Sequence, residues 1–130
     1  MLRAAGAVIV GYVVWTVIWV GVHFSLFRAA GEVAARNERI ADNVALIGML
    51  VLGFVCSVAG GFTCSKISRA SRPSAAVLAL LFLLTGLGVQ ISAWPVFPLW
   101  YHVIFLISVP VVTFVVATRS SPAASQPRYA

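Results

Sequence analysis

Three stretches of this chain, Ala4 to Phe27, Asn43 to Ser65 and Pro73 to Thr118, contain no Lys, Arg, Asp or Glu. Such runs constrain the fold more than any motif in the chain. A backbone in hydrocarbon must satisfy its own N–H and C=O groups, so an apolar run of about 20 residues is read as a helix that crosses a bilayer. The first two runs suit one crossing each. The third is about twice the length of one crossing. It is interrupted at "AWPVFPLWYH", where Pro95 and Pro98 break helical hydrogen bonding and bias Trp94 and Phe97 towards extended backbone. The chain therefore reads as an all-α, polytopic four-transmembrane-helix bundle over residues 1–118. Its spans fall at about 4–27, 43–65, 74–93 and 98–118, with Pro98 suited to the first turn of the last helix. The polar 119–130 segment, ending "SSPAASQPRYA", is expected to be a disordered cytoplasmic tail.

Composition agrees. Of 130 residues, 62% are hydrophobic and 9% charged, against about a quarter charged in a soluble domain. The net charge of +6 would suit nucleic acid if it formed a soluble basic face. Here the cations sit in short clusters between apolar runs, so no nucleic-acid partner is expected. The first run is longer than the apolar region of a secretory signal, which is about 7–15 residues, and is read as a retained span. Cys56 and Cys64 lie eight apart on one helix, about 12 Å of rise, too far to pair with each other.

Orientation follows from the short loops. Arg3, the "KISRASRP" turn with Lys66, Arg69 and Arg72, and the tail with Arg119 and Arg128 fall on one side. Arg28, Arg36 and Arg39, balanced by Glu32, Glu38 and Asp42, fall on the other. The positive-inside rule then places both termini in the cytoplasm, in a cell inner (plasma) membrane. Arg28, Glu32 and Arg36 at i,i+4 spacing support a helical turn or two beyond the first span. Asp42 or Asn43 can cap the second. Lys66, Arg69 and Arg72 also suit anionic lipid.

Small residues mark the contact faces. Gly53, Ser57, Gly61 and Ser65 recur every four residues, and Cys56, Gly60 and Cys64 widen the strip. Lipid is as apolar as Leu, so helices gain by close backbone approach, which small side chains permit. The first helix offers a seam of Ala7, Gly11, Val14, Ile18, Gly21 and Ser25. The third offers Ala75, Ala79, Phe82, Gly86 and Gln90. An intramolecular bundle accounts for these faces, with a homo-oligomer or a membrane-protein partner open. Pro110 should kink the last helix by removing the bond to the Leu106 carbonyl.

Candidate chemistry is sparse. No Asp, Glu, Lys or Arg lies within a span, which argues against a proton-coupled pump and separates the chain from the small multidrug-resistance transporters, which rely on a carboxylate in their first helix. His23, Gln90 and His102 all fall near the outer interface and could converge in one outward-facing polar pocket. Two imidazoles could hold a metal or a haem if their helices faced each other, but a metal site usually takes three or four ligands. The simpler expectation is no cofactor, with these residues bonded to water or backbone at the interface. Tyr12, Trp15, Trp19 and His23 form one helical stripe, and Trp94, Trp100 and Tyr101 cluster near the third loop, as headgroup-level aromatics do. No phosphate loop, CxxC pair or nucleophile–base arrangement is present, so no enzyme is expected. The reading is a non-enzymatic accessory or interaction protein. The competing reading is a small carrier or channel with its pocket at the two histidines and Gln90.

"AGGFTCSKISRASRPSAAVLALL", followed by "FPLWYHVIFLISVP", resembles a loose group of small, uncharacterised bacterial four-span inner-membrane proteins. There a Gly/Ala-rich second helix ends in a basic turn and a Trp-Tyr-His element opens the last helix. The resemblance covers Gly53 to Pro110, implies an inner-membrane location and transfers no activity. It singles out Trp100, Tyr101 and His102 for testing.

Overall fold

The computed structural model describes residues 1–119; the expected tail from 120 onward, with Arg128, lies outside the described residues. Five α-helices follow one another: α1 (Leu2–Leu26), α2 (Arg28–Ala35), α3 (Asn43–Ser68), α4 (Arg72–Ser92) and α5 (Leu99–Arg119). No strand occurs among the described residues. α1, α3, α4 and α5 are long and apolar enough to cross a membrane. The protein is an all-helical bundle of four such helices.

Local chemistry sets the helix ends. The Asp42 carboxylate accepts from the amides of Val44 and Ala45 at 2.9 and 3.3 Å and so caps α3. The first span does not simply run on into its loop. It breaks at Phe27 (φ −110°, ψ 25°), and α2 is a separate helix in which Arg28 pairs with Glu32 at 3.4 Å. Arg36 pairs with Glu38 at 3.5 Å, beyond the end of α2. The α4–α5 connection is a hydrogen-bonded turn, with Val96 and Phe97 amides donating to the Ala93 carbonyl at 3.0 and 3.3 Å. Pro98 sits just before α5, and its carbonyl accepts from the Tyr101 and His102 amides at 3.0 and 3.4 Å. It therefore occupies the cap rather than the first turn. α5 continues as one helix through Pro110.

The four spans close into a ring in the order α1, α3, α5, α4, each packed on the next. α3 and α4 lie across the diagonal, although only the Arg69–Ser71 turn joins them. Small residues bring the backbones together. A Cβ on Gly60 would lie 2.9 Å from the Gly11 carbonyl oxygen, and one on Gly11 would lie 2.9 Å from that of Gly60. A Cβ on Gly61 would lie 2.9 Å from the Thr113 carbonyl oxygen. The wide α3 strip thus serves two neighbours: Gly60 meets α1, and Gly61 meets α5.

Further along the bundle, aromatic rings replace backbone contact. Gly53 and Gly86 both face Phe105, and an added Cβ would stand 3.1 and 3.3 Å from its ring. The two glycines form a socket for Phe105. Trp15 and Phe82, with ring centroids 4.9 Å apart, fill the middle, and Phe82 is wholly buried. Here the α1 expectation is corrected. Ala7 and Gly11 are buried, but Gly21 and Ser25 are exposed, with nothing near a Cβ on Gly21. Trp15 takes over the inward position at 5% exposure, so this part of the stripe is core rather than headgroup anchor. The α4 face of Ala75, Ala79, Phe82, Gly86 and Gln90 is buried along its whole length.

Candidate functional site

Two polar regions stand apart in this apolar bundle. The first lies where α4 turns into α5. Gln90 and His102 are each 2% exposed, and the Gln90 side-chain oxygen is 2.5 Å from His102 Nδ1. The other ring nitrogen, Nε2, faces the Trp94 carbonyl at 3.4 Å. A neutral imidazole has one donor and one acceptor nitrogen. Nδ1–H donates to Gln90 in this arrangement, and a turned Gln90 amide would instead let Nε2–H donate to Trp94, since the network decides the amide's orientation. Either way the ring ties the turn to both helices. The Trp94 indole stacks on it, centroids 4.4 Å apart and planes within 9°. The first loop docks here too: the Ile40 amide donates to the Val96 carbonyl at 3.0 Å, and both side chains are buried.

His23 does not join this pair. Its ring stacks on Trp19 at 5.6 Å. Trp19 meets Phe105 edge-on at 5.6 Å, Phe105 stacks on Tyr101 at 5.9 Å, and Tyr101 meets His102 at 6.5 Å. Three rings therefore separate the histidines, and one small ligand cannot touch both. His23 instead lines a cleft of about 690 Å³ between the end of α1 and α2, with Phe24, Phe27, Arg28, Gly31 and Glu32. The expected three-residue pocket resolves into a closed Gln90–His102 pair and a separate His23 cleft. Among the described residues no group of three His, Cys, Asp or Glu side chains could hold a metal. Cys56 and Cys64 are free and buried.

The second region is the end of the bundle formed by the start of α1, the α3–α4 turn and the end of α5. It carries Arg3, Lys66, Arg69, Arg72 and Arg119. The three acidic residues, Glu32, Glu38 and Asp42, all lie at the opposite end. Both ion pairs among the described residues are also at that opposite end. Arg3 Nε donates to the Ile67 carbonyl at 2.6 Å, and Lys66 Nζ lies 5.0 Å over the Phe62 ring. Arg69 and Ala70 both adopt left-handed backbone (φ 56°), and the Ala70 amide closes α3 on the Ser65 carbonyl at 3.0 Å. Ser65 of the packing strip and Ser74 of α4 are buried, with hydroxyls that find no hydrogen-bond partner. Sequence reasoning picked out this turn's charges but missed Ser74, whose hydroxyl is notable only once the helices are assembled.

Comparison with protein families, with curated proteins and with solved structures finds no match.

Proposed function

We propose that this chain is a plasma (inner) membrane protein with both termini in the cytoplasm, acting as a non-enzymatic accessory or interaction subunit. The filled centre of the bundle carries the reading. Trp15, Phe82, Leu78 and Cys56 occupy it, each at most 5% exposed, and the Gly11–Gly60 approach leaves no space between α1 and α3 for a solute path. A path for ions or polar solutes needs polar lining or water at the bilayer midplane. The polar groups at that depth are few: the Tyr12 and Thr85 hydroxyls bond each other at 2.8 Å, the Ser57 hydroxyl donates to the Gly53 carbonyl at 2.7 Å, and the buried Trp15 indole N–H, which has no hydrogen-bond partner, is a single donor that cannot line a path. The Gln90–His102 pair is satisfied internally, which suits a structural tie more than a substrate contact. The orientation is supported by five cations at one end, with no ion pair there among the described residues, and a charge-balanced other end.

Reconstitution into liposomes tests this reading. Proton, potassium and small-solute flux should match that of protein-free vesicles. A saturable flux abolished by His102→Ala in a folded protein would establish the carrier reading in its place. Reporter fusions at the Lys66–Arg72 turn should report the cytoplasm.

A further inference from the structure

At the basic end, the first turns of α1 and α4 leave a groove of about 330 Å³ between them. Ala5, Val8 and Ile9 form one wall, and Pro73, Ser74 and Val77 form the other. It opens towards the surroundings of the bundle, since Ile9 is 62% and Val77 49% exposed. Its lining is apolar apart from Ser74. That residue is 2% exposed, and its hydroxyl has no hydrogen-bond partner.

The groove begins at a helix N-terminus that lacks its usual satisfaction. No side chain caps α4, not even the Ser71 hydroxyl at the N-cap position, and Pro73 has no N–H to offer. The remaining first-turn amides have no intrahelical acceptor and carry the positive end of the helix dipole. The residues immediately before the two walls are cations, Arg3 ahead of Ala4 and Arg72 ahead of Pro73. Neither has an ion pair among the described residues, and Arg3, whose Nε donates to the Ile67 carbonyl, keeps its other four N–H donors.

We propose that this groove binds one anionic phospholipid, with an acyl chain along the α1–α4 walls and the phosphate held by Arg3, Arg72 and the Ser71–Ser74 start of α4. Charge complementarity selects the headgroup, and the apolar walls select a lipid over a free anion. The proposal deepens the accessory reading by naming a lipid partner at a defined place, in contrast to a diffuse attraction to Lys66, Arg69 and Arg72. It rests on this end meeting bilayer headgroups, but not on which side of the membrane that is.

The test uses the full-length chain in neutral detergent, with bound lipid read by native mass spectrometry, a readout independent of orientation and of any flux. Phosphatidylglycerol should be retained in preference to phosphatidylcholine. Removing both charges with Arg3→Gln and Arg72→Gln should lower retention about thirtyfold, since each basic residue near the headgroups contributes about 1 kcal/mol. Val77→Trp, which fills the groove and leaves every charge in place, should lower it as far; Ala5→Leu serves if that variant loses its helical circular dichroism. Arg69→Gln, on the same end but outside the groove, should change retention by less than about threefold. The proposal is overturned if Arg69→Gln costs as much as the double variant, if the groove-filling variant retains lipid normally, or if inorganic phosphate displaces the lipid.

Discussion

The two halves of the bundle are held together by opposite means. Towards the basic end, α1, α3 and α5 meet almost backbone to backbone through Gly11, Gly60 and Gly61. Towards the other end the glycines stand back, and Trp19, Phe105 and Tyr101 fill the widened space. The charges divide the same way: among the described residues there is no ion pair at the first end, and there are two around α2 at the second. In lipid, burying an apolar side chain gains little over leaving it in the hydrocarbon, so packing quality decides which faces meet. Glycine against backbone and glycine against ring are two solutions to that one problem, and they differ in what a substitution does.

The largest contrast lies at Gly60. Gly60→Leu should abolish the folded, monodisperse protein in detergent, because even a Cβ would overlap the Gly11 carbonyl and neither backbone can yield. Gly60→Ala should cost about 2–3 kcal/mol in reversible unfolding from mixed micelles, as overpacking does. A neutral Gly60→Ala would refute the close-approach half of the comparison. At the other end, Phe105→Ala should cost about 3 kcal/mol by emptying the socket between Gly53 and Gly86. A loss below about 1 kcal/mol would show that the neighbouring helices collapse into the space.

The Gln90–His102 tie should give the next effect. His102→Leu leaves the buried Gln90 amide unpaired and should cost about 2 kcal/mol. Adding Gln90→Leu should recover part of it, with a coupling of about 1 kcal/mol in a double-mutant cycle. Strict additivity would mean that the two side chains do not act together. The smallest effect is a gain. Ala70 holds left-handed backbone, a conformation that costs an L residue about 1–2 kcal/mol, so Ala70→Gly should raise stability by about 1 kcal/mol. Arg3 and Arg72 substitutions should barely move the same unfolding curve, which separates lipid binding from folding.

Much of this is legible in the sequence. Charge-free runs located the four spans because charge is costly in hydrocarbon. A cap at Asp42 or Asn43 was readable, Asp42 being the one that forms, and the α4 face from Ala75 to Gln90 lies where its spacing put it. What failed was the choice of face on α1. That helix is apolar all round, so its pattern of Gly21 and Ser25 looks like a seam although it faces outward. The Gly11–Gly60 approach and the filling of the space beyond it by Trp15 and Trp19 together set its rotation, and both depend on the other helices. The His23 placement failed for the same reason. Shared depth near one interface was legible; the three rings between the histidines were not. The docking of Ile40 on Val96 had no local signal, because a single backbone bond between distant loops leaves no pattern in either.

The diagonal placement of α3 and α4 bears on how such a molecule is made. The first two crossings to be synthesised are already ring neighbours, and so are the last two. The first couple can mate as it leaves the ribosome, before the second exists, and the second can then mate in its turn. Assembly then becomes the docking of two finished hairpins around the short basic linker, rather than the gathering of four loose rods.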